Sequence, residues 1–268
     1  MSSVVIDPSY MPVDGPATHA QSLAAKAERA PEKLALVIPT LREADNIRSV
    51  IDQVRAVLDP LAIRYEILIV DDDSRDGTEE IVNAISQIDP RVRLLIRKGQ
   101  RGLSGAILYG WQNTDASIVG VMDADMQHPP DLLPKLVASA LAGHDLVIGS
   151  RYTPGGSLND WNKLRKLISE AAVAVTWPIQ RTGLRAKDPM SGFFFVRRQC
   201  IERIPFQQSG FKLLLEILVR ANIHSVDEIP FAFGLRSRGA SKASIKVAVD
   251  YARLLVRLYA SRLHLTRD

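Results

Sequence analysis

The middle of the chain alternates between two patterns. Short continuous apolar runs, rich in β-branched residues, fall at 34–39, 65–70, 92–96, 118–122 and 146–149, and their length and composition predict strands. Between them, at 44–58, 78–88, 104–113 and 131–141, apolar residues return every three or four positions, the spacing of a helix with one buried face. A strand that is apolar throughout is covered on both sides. The alternation therefore predicts an α/β fold with a mostly parallel sheet and helices on both faces. No segment repeats at a fixed period, which argues against a solenoid.

Beyond Arg151 the rhythm changes. A Gly-rich loop at 153–160 precedes a long helical pattern at 162–182, then a strand at 192–196, a helix at 211–221, an extended piece at 227–233 and a last helix at 244–263. Ahead of the first strand, Pro8, Pro12, Gly15, Pro16 and Pro31 stand among alanines and scattered charges. This predicts a partly disordered extension over 1–33, a main domain over 34–243 and a helical tail over 244–268.

Composition narrows the chemistry. The 268 residues are 46% hydrophobic, enough for one sizeable core. Cys200 is the single cysteine, which rules out an internal disulfide and fits a reducing compartment. His19, His128, His144, His224 and His264 lack the spacing of a zinc site; each is expected to be solvated or structural, and any metal to be held by oxygen. The net charge is +4 and the pI about 9.2, with basic residues concentrated late in the chain. That suggests an anionic partner, whether nucleic acid, phosphorylated substrate or anionic lipid. No apolar run approaches the roughly 20 residues of a membrane span, and the start lacks a charged-then-apolar signal. A soluble or peripheral chain is expected.

Ligands of an open α/β sheet bind beyond the carboxyl ends of its strands. Here three such ends carry acids: Ile38-Pro39-Thr40-Leu41-Arg42-Glu43, Val70-Asp71-Asp72-Asp73-Ser74 and Met122-Asp123-Ala124-Asp125-Met126-Gln127. Crowded carboxylates raise one another's pKa, and a cation or sugar hydroxyls relieve the conflict. Asp123, Asp125 and Gln127 occupy alternate positions, which in extended backbone face one side. Two carboxylates and an amide suit a hard ion, Mg²⁺ or Mn²⁺, with places left for diphosphate oxygens. Asp72 is the candidate for a contact to base or ribose, while Asp76 and Thr78 read as a turn and helix cap. The segment from Gly99 through Gly102 to Gly105 lacks both the Walker and the dinucleotide spacing, so its glycines are expected to permit close helix packing.

The order Ile-Pro-Thr, Val-Asp-Asp-X-Ser-X-Asp-Gly-Thr, Asp-Ala-Asp-X-Gln, Ser150-Arg151-Tyr152, Arg165-Lys166-Leu167-Ile168-Ser169 and Arg236-X-X-Gly239-X-Ser241-Lys242 resembles glycosyltransferase family 2, and within it the dolichyl-phosphate mannose synthases. The likeness runs from about Leu34 to Lys242. It implies a GT-A fold and an inverting transfer of mannose from GDP-mannose to a polyprenyl or dolichyl monophosphate, at the cytoplasmic face of a membrane and without nucleic acid as a partner. It also implies roles. Pro39, Leu41, Glu43, Val70 and Asp72 would surround the nucleotide, and Asp123, Ala124, Asp125 and Gln127 the metal and donor. Arg151, Arg165, Arg236 and Lys242 would hold phosphates, with Asp125, Arg151, Arg236 and Lys242 carrying the catalysis. Leu41 and Arg42 stand where the family usually has Tyr-Asn, and Asp73 and Arg75 where it has Asn and Pro. These positions bear on the base, and a UDP-sugar donor stands as the alternative. The segment Asp188-Pro189-Met190-Ser191-Gly192 resembles a family loop near the acceptor, and reads equally as a turn entering a strand.

The residue types suit that chemistry. Arg gives permanently charged, bidentate contacts to phosphate and Lys acts as a point charge, so the set fits a diphosphate leaving group beside a phosphate nucleophile. A phosphate monoester, with a second pKa of about 6, is largely dianionic near neutral pH and needs no general base. A transferase acting on a saccharide hydroxyl would need one, and a non-catalytic nucleotide-sugar-binding subunit would not need the full acidic and basic set. In the last helix Lys246, Asp250, Arg253 and Arg257 form one stripe, and Ile245, Val249, Leu254, Leu255, Leu258, Tyr259 and Leu263 spread over the rest. It is expected to pack partly on the core and partly on a membrane surface or a membrane subunit.

Overall fold

The computed structural model describes residues 32–157, 163–206, 212–234 and 245–265. Seven strands form one sheet: β1 (Lys33–Thr40), β2 (Arg64–Asp71), β3 (Val92–Ile96), β4 (Ile118–Val121), β5 (Leu146–Ser150), β6 (Phe194–Arg197) and β7 (Val226–Pro230), in the order β3-β2-β1-β4-β6-β5-β7. β1 runs parallel to β2 and β4, β2 to β3, and β5 to β7. β6 alone is reversed, antiparallel to β4 and β5. The chain crosses from β3 over β1 to β4, so the strand order switches direction between β1 and β4. That is where an open α/β sheet opens a crevice.

The helices are α1 (Ala44–Leu58), α2 (Thr78–Ile88), α3 (Leu103–Gln112), α4 (Leu133–Leu141), α5 (Lys163–Ala174), α6 (Leu213–Arg220) and α7 (Ile245–Leu265). Strand residues alternate between two cores. Leu34, Leu36 and Ile38 of β1 pack with Ile47, Ile51, Val82 and Leu136 of α1, α2 and α4. Ala35 and Val37 pack with Ile107 and Trp111 of α3 and Leu214 and Ile217 of α6. Helices thus cover both faces, as the continuous apolar runs require.

One expectation changes, and one is met in its core-packing part. The helical pattern at 162–182 is not one helix, because α5 stops at Ala174 and Thr176 Oγ1 bonds to the carbonyl of Val173 at 2.7 Å. Pro178 disfavours helical backbone at Trp177 and closes the segment. The last helix is tied to its own protein: Leu258 joins Ile179, Leu215 and Val219, with Tyr251, Leu254, Leu255 and Tyr259 packed around them. Tyr251 and Tyr259 donate to the carbonyls of Ala172 and Val175, both at 2.6 Å. The extension expected over 1–33 lies outside the described residues up to position 31.

Candidate active site at the carboxyl rim of the sheet

Because six strands point one way and β6 the other, the loop entering β6 arrives at the rim where the six end. Two acidic clusters meet there with cations, Arg97 buried and Arg151 and Lys212 half-buried. The first lies after β1 and β2. Asp71, buried, accepts from Thr40 Oγ1 at 2.8 Å, from the Ser74 amide at 2.8 Å and from Ser74 Oγ at 2.5 Å. Ser74 Oγ in turn accepts the Arg42 amide at 2.7 Å. Asp76 accepts the Ala44 amide at 3.1 Å and both the amide and hydroxyl of Thr78, which bears out its reading as a turn residue. The two loops are thereby stitched together.

This stitching holds strain. Arg42, Asp73 and Arg75 take left-handed backbone at φ 64°, 56° and 53°, a conformation costing roughly 1–2 kcal/mol for a residue with a Cβ. Arg42 occupies a position where the resembled pattern has Asn, a residue that tolerates this region, as Asp73 also does. Arg75 stands in place of Pro, whose ring fixes φ near −65° and forbids this turn.

Asp72 is nearly buried. Its Oδ2 accepts the Gly102 amide at 2.8 Å and its Oδ1 lies 2.9 Å from Arg97 Nη1. Burial raises its pKa, against the Gly102 amide and the Arg97 charge. The glycines of this loop serve its backbone: Gly99 and Gly102 have φ 69° and 138°. A Cβ at Gly99 would meet nothing within 4 Å, so the expected close packing does not explain it. Of the other positions assigned to the nucleotide, Pro39 and Leu41 are half-buried, and Glu43 Oε2 accepts Asn46 Nδ2 at 2.8 Å. The Val70 side chain lies wholly in the α3-side core, so any ligand contact there falls to its backbone.

The second cluster follows β4. The strand ends at Val121 and Met126 is left-handed at φ 64°, so Asp123, Asp125 and Gln127 sit on a turn rather than in extended alternation. The Gln127 amide donates to Asp125 Oδ1 at 3.1 Å. The Asp123 amide donates to His128 Nδ1 at 3.1 Å. His128 is buried, stacked on Phe193 at 5.1 Å and flanked by the edges of Phe231 and Phe233; burial lowers its pKa and keeps it neutral. It is a structural histidine. Ala124 is buried in the core, while the Asp123 side chain is 37% exposed. A Cβ on Gly192 would come within 3.1 Å of Asp123 Oδ2, which brings the 188–192 loop against this carboxylate. Gly234 exchanges bonds with Gln127, amide to carbonyl at 3.1 Å and carbonyl to Gln127 Nε2 at 3.3 Å.

Arg151, at the end of β5, forms a bidentate pair with fully buried Asp188, with Nε and Nη2 each at 2.8 Å, and its own amide adds a third bond at 3.0 Å. The 188–192 loop is a turn entering β6 that lies against Asp123 and Arg151. Lys212, at the head of α6, shares the field of Arg151, Asp188 and Asp123, and burial and Arg151 push its pKa down to about 8. Sequence reasoning did not single it out, although a lone Lys beside the apolar Leu213-Leu214-Leu215 was a signal. The Arg165 side chain, Arg236 and Lys242 lie outside the described residues.

The sheet with its switch point, the acidic turn after β4 and the cations around it match the GT-A fold. Solved structures share the fold: glucosyl-3-phosphoglycerate synthase from Mycobacterium tuberculosis with UDP superimposes with a TM-score of 0.61 at 22% identity, covering 89% of this chain and 82% of that one. The same enzyme has been solved with Mn²⁺, UDP and phosphoglyceric acid, and with Mg²⁺ and UDP. Residues 35–213 match glycosyl transferase family 2, and the chain belongs to this family. It is similar to proteins named dolichol-phosphate mannosyltransferase. Identity is 39% to that of Pyrococcus furiosus, over 84% of this chain and 63% of the relative. It is 36% to those of Mycosarcoma maydis and Saccharomyces cerevisiae, over 85% and 84% of this chain and 79% and 86% of the relatives. The chain thus spans less than two thirds of the Pyrococcus protein's length.

Proposed function

We propose that this chain transfers mannose from GDP-mannose to a polyprenyl or dolichyl monophosphate with inversion. The observation that carries the reading is the meeting, on one rim, of the Asp123–Asp125 turn with the half-buried cations Arg151 and Lys212. Donor diphosphate and acceptor phosphate repel each other, and a site that joins them needs cations on one side and a metal-binding edge on the other. The names of the relatives supply the sugar and the acceptor.

Among the described residues no three His, Cys, Asp or Glu side chains converge. The hard oxygens of Asp123, Asp125 and Gln127 would hold Mg²⁺ or Mn²⁺ as an incomplete set, with the chemistry of oxygen ligands that such ions prefer. Such an ion, when bound, neutralises charge on the leaving diphosphate. Asp188 aims Arg151 by its bidentate grip, and Lys212 supplies a second charge toward the phosphates. Arg165, Arg236 and Lys242 complete this set, and the acceptor dianion attacks without a base. In this reading residues 34–243 make the catalytic unit.

Among the described residues no helix is long and apolar enough to cross a membrane. Leu167, Ile168, Val175, Trp177 and Val256 nevertheless stay 47–70% exposed on α5, the turn after it and α7. We assign them to contact with the cytoplasmic membrane face or a membrane subunit, where the lipid acceptor resides.

The test is a panel with a short polyprenyl phosphate, Mn²⁺ or Mg²⁺, and GDP-mannose, UDP-glucose, UDP-GlcNAc and UDP-galacturonate in parallel, with product read by mass spectrometry. Mannosyl product from GDP-mannose alone is expected. Turnover of a UDP-sugar instead would move the reading to the alternative donor class. Trp177→Ser should reduce co-sedimentation with anionic liposomes while leaving nucleotide binding intact.

A further inference from the structure

Arg97 follows β3 and is 6% exposed, yet it is not spent on an ordinary surface ion pair. Its amide extends the β2–β3 ladder by bonding to the Asp71 carbonyl at 2.8 Å. Its Nη1 faces Asp72 Oδ1 at 2.9 Å and bonds to the Gly102 carbonyl at 3.1 Å, and its Nη2 reaches Gln100 Oε1 at 3.4 Å. Gly102 closes the circuit by donating its amide to Asp72 Oδ2 at 2.8 Å. The residues between Arg97 and Gly102 are therefore wrapped around one guanidinium, and both oxygens of Asp72 are held from the side.

This arrangement is costly for stability alone. Arg97 Nε is buried without an acceptor, and a buried ion pair often stabilises no more than a well-packed apolar pair of the same size. The neighbouring Asp71 shows the cheaper solution, since hydroxyls and an amide satisfy it without any cation. What the guanidinium adds is a fixed, ionised carboxylate. Gly102 holds Asp72 Oδ2, while Oδ1 faces the Arg97 charge but is buried without a hydrogen-bond donor, so the carboxylate keeps unused acceptor capacity.

We infer that Arg97 is a positioning residue for the nucleotide: without touching the ligand, it keeps Asp72 ionised and aimed and folds residues 98–102 beside it. The inference rests on the nucleotide-sugar reading of this site. The charged groups acting on Asp72 are Arg97, Arg101 and Asp71, and the Gly102 amide bonds to it. Burial already raises the Asp72 pKa, and Arg97 and Arg101 oppose that rise. Removing Arg97 raises it further, so Asp72 takes up a proton at higher pH than in the parent and loses its acceptor character as pH falls.

The experiment measures binding of GDP and UDP to the full chain with Mn²⁺ by calorimetry from pH 5 to 8, for the parent, Arg97→Lys, Arg97→Met and Arg97→Met with Asp72→Asn. Arg97→Met should weaken nucleotide binding about tenfold at pH 7, the scale of one misplaced charge-assisted bond, and its acidic loss of affinity should begin at higher pH. Arg97→Lys should restore much of the affinity. The double variant should recover thermal stability, because no uncompensated buried carboxylate remains, and still bind weakly. If the double variant recovers affinity along with stability, or if Arg97→Met binds as the parent does with an unmoved pH profile, the pair is only structural and the inference falls. A parent that binds neither nucleotide overturns the nucleotide-sugar reading itself, and the inference with it.

Discussion

The acidic clusters after β2 and after β4 lie on one rim but are built differently. After β2, Asp71 and Asp76 are met by protein hydroxyls and amides, and Asp72 by Arg97 and Gly102. After β4, Asp123 keeps more than a third of its side chain open, beside an arginine already gripped by Asp188 and a lysine depressed by burial. The first cluster spends its carboxylates on shape. The second combines a partly exposed Asp123 with a buried Asp125 that accepts the Gln127 amide, next to cationic charge, the arrangement that a charged ligand and its counter-ion would complete. Substitutions in the first should therefore act through folding and nucleotide affinity, and those in the second through chemistry.

The largest separation should come from Asp125→Ala. Removing this carboxylate should lower metal-dependent turnover about a thousandfold or more, several kcal/mol of lost charge stabilisation, against about 1–3 kcal/mol of stability for the Gln127 amide left without its acceptor. Turnover within a few fold of the parent in the folded variant would remove the metal assignment. Next is Asp188→Ala, which leaves the half-buried Arg151 without its bidentate partner and should cost about 3 kcal/mol in chemical denaturation. Pairing it with Arg151→Met should return much of that stability but no activity. Equal recovery of activity would make Arg151 structural and dissolve the contrast between the clusters. The smallest effect should be Thr40→Val, which removes one donor to Asp71 and should cost about 1 kcal/mol. It should loosen nucleotide binding slightly and leave single-turnover chemistry, measured at saturating donor, unchanged.

Much of the architecture was legible before any coordinates. The strands at 65–70 and 92–96 and the helices at 44–58 and 78–88 fall where β2, β3, α1 and α2 lie, because a strand buried on both faces must be apolar throughout and an amphipathic helix must return to its core every turn. The acidic strand ends were legible for the same reason: polar residues directly after such runs emerge at one rim. The last helix shows the limit. Its apolar breadth was plain, but only packing shows that Leu258, Tyr251 and Tyr259 engage α5, α6 and the turn that follows α5, and that Val256 remains outside.

What the sequence by itself determined is the periodicity of burial, and with it the element types, the two-faced sheet and the rim that carries the acids. Pairing was decided by the tertiary structure. The reversal of β6, the grip of Asp188 on Arg151 across 37 residues, the placing of Lys212 beside them and the closure of residues 97–102 on Asp72 all depend on where the chain returns. A pattern of spacing records which side of an element faces inward; it carries no record of which distant charge will meet it there.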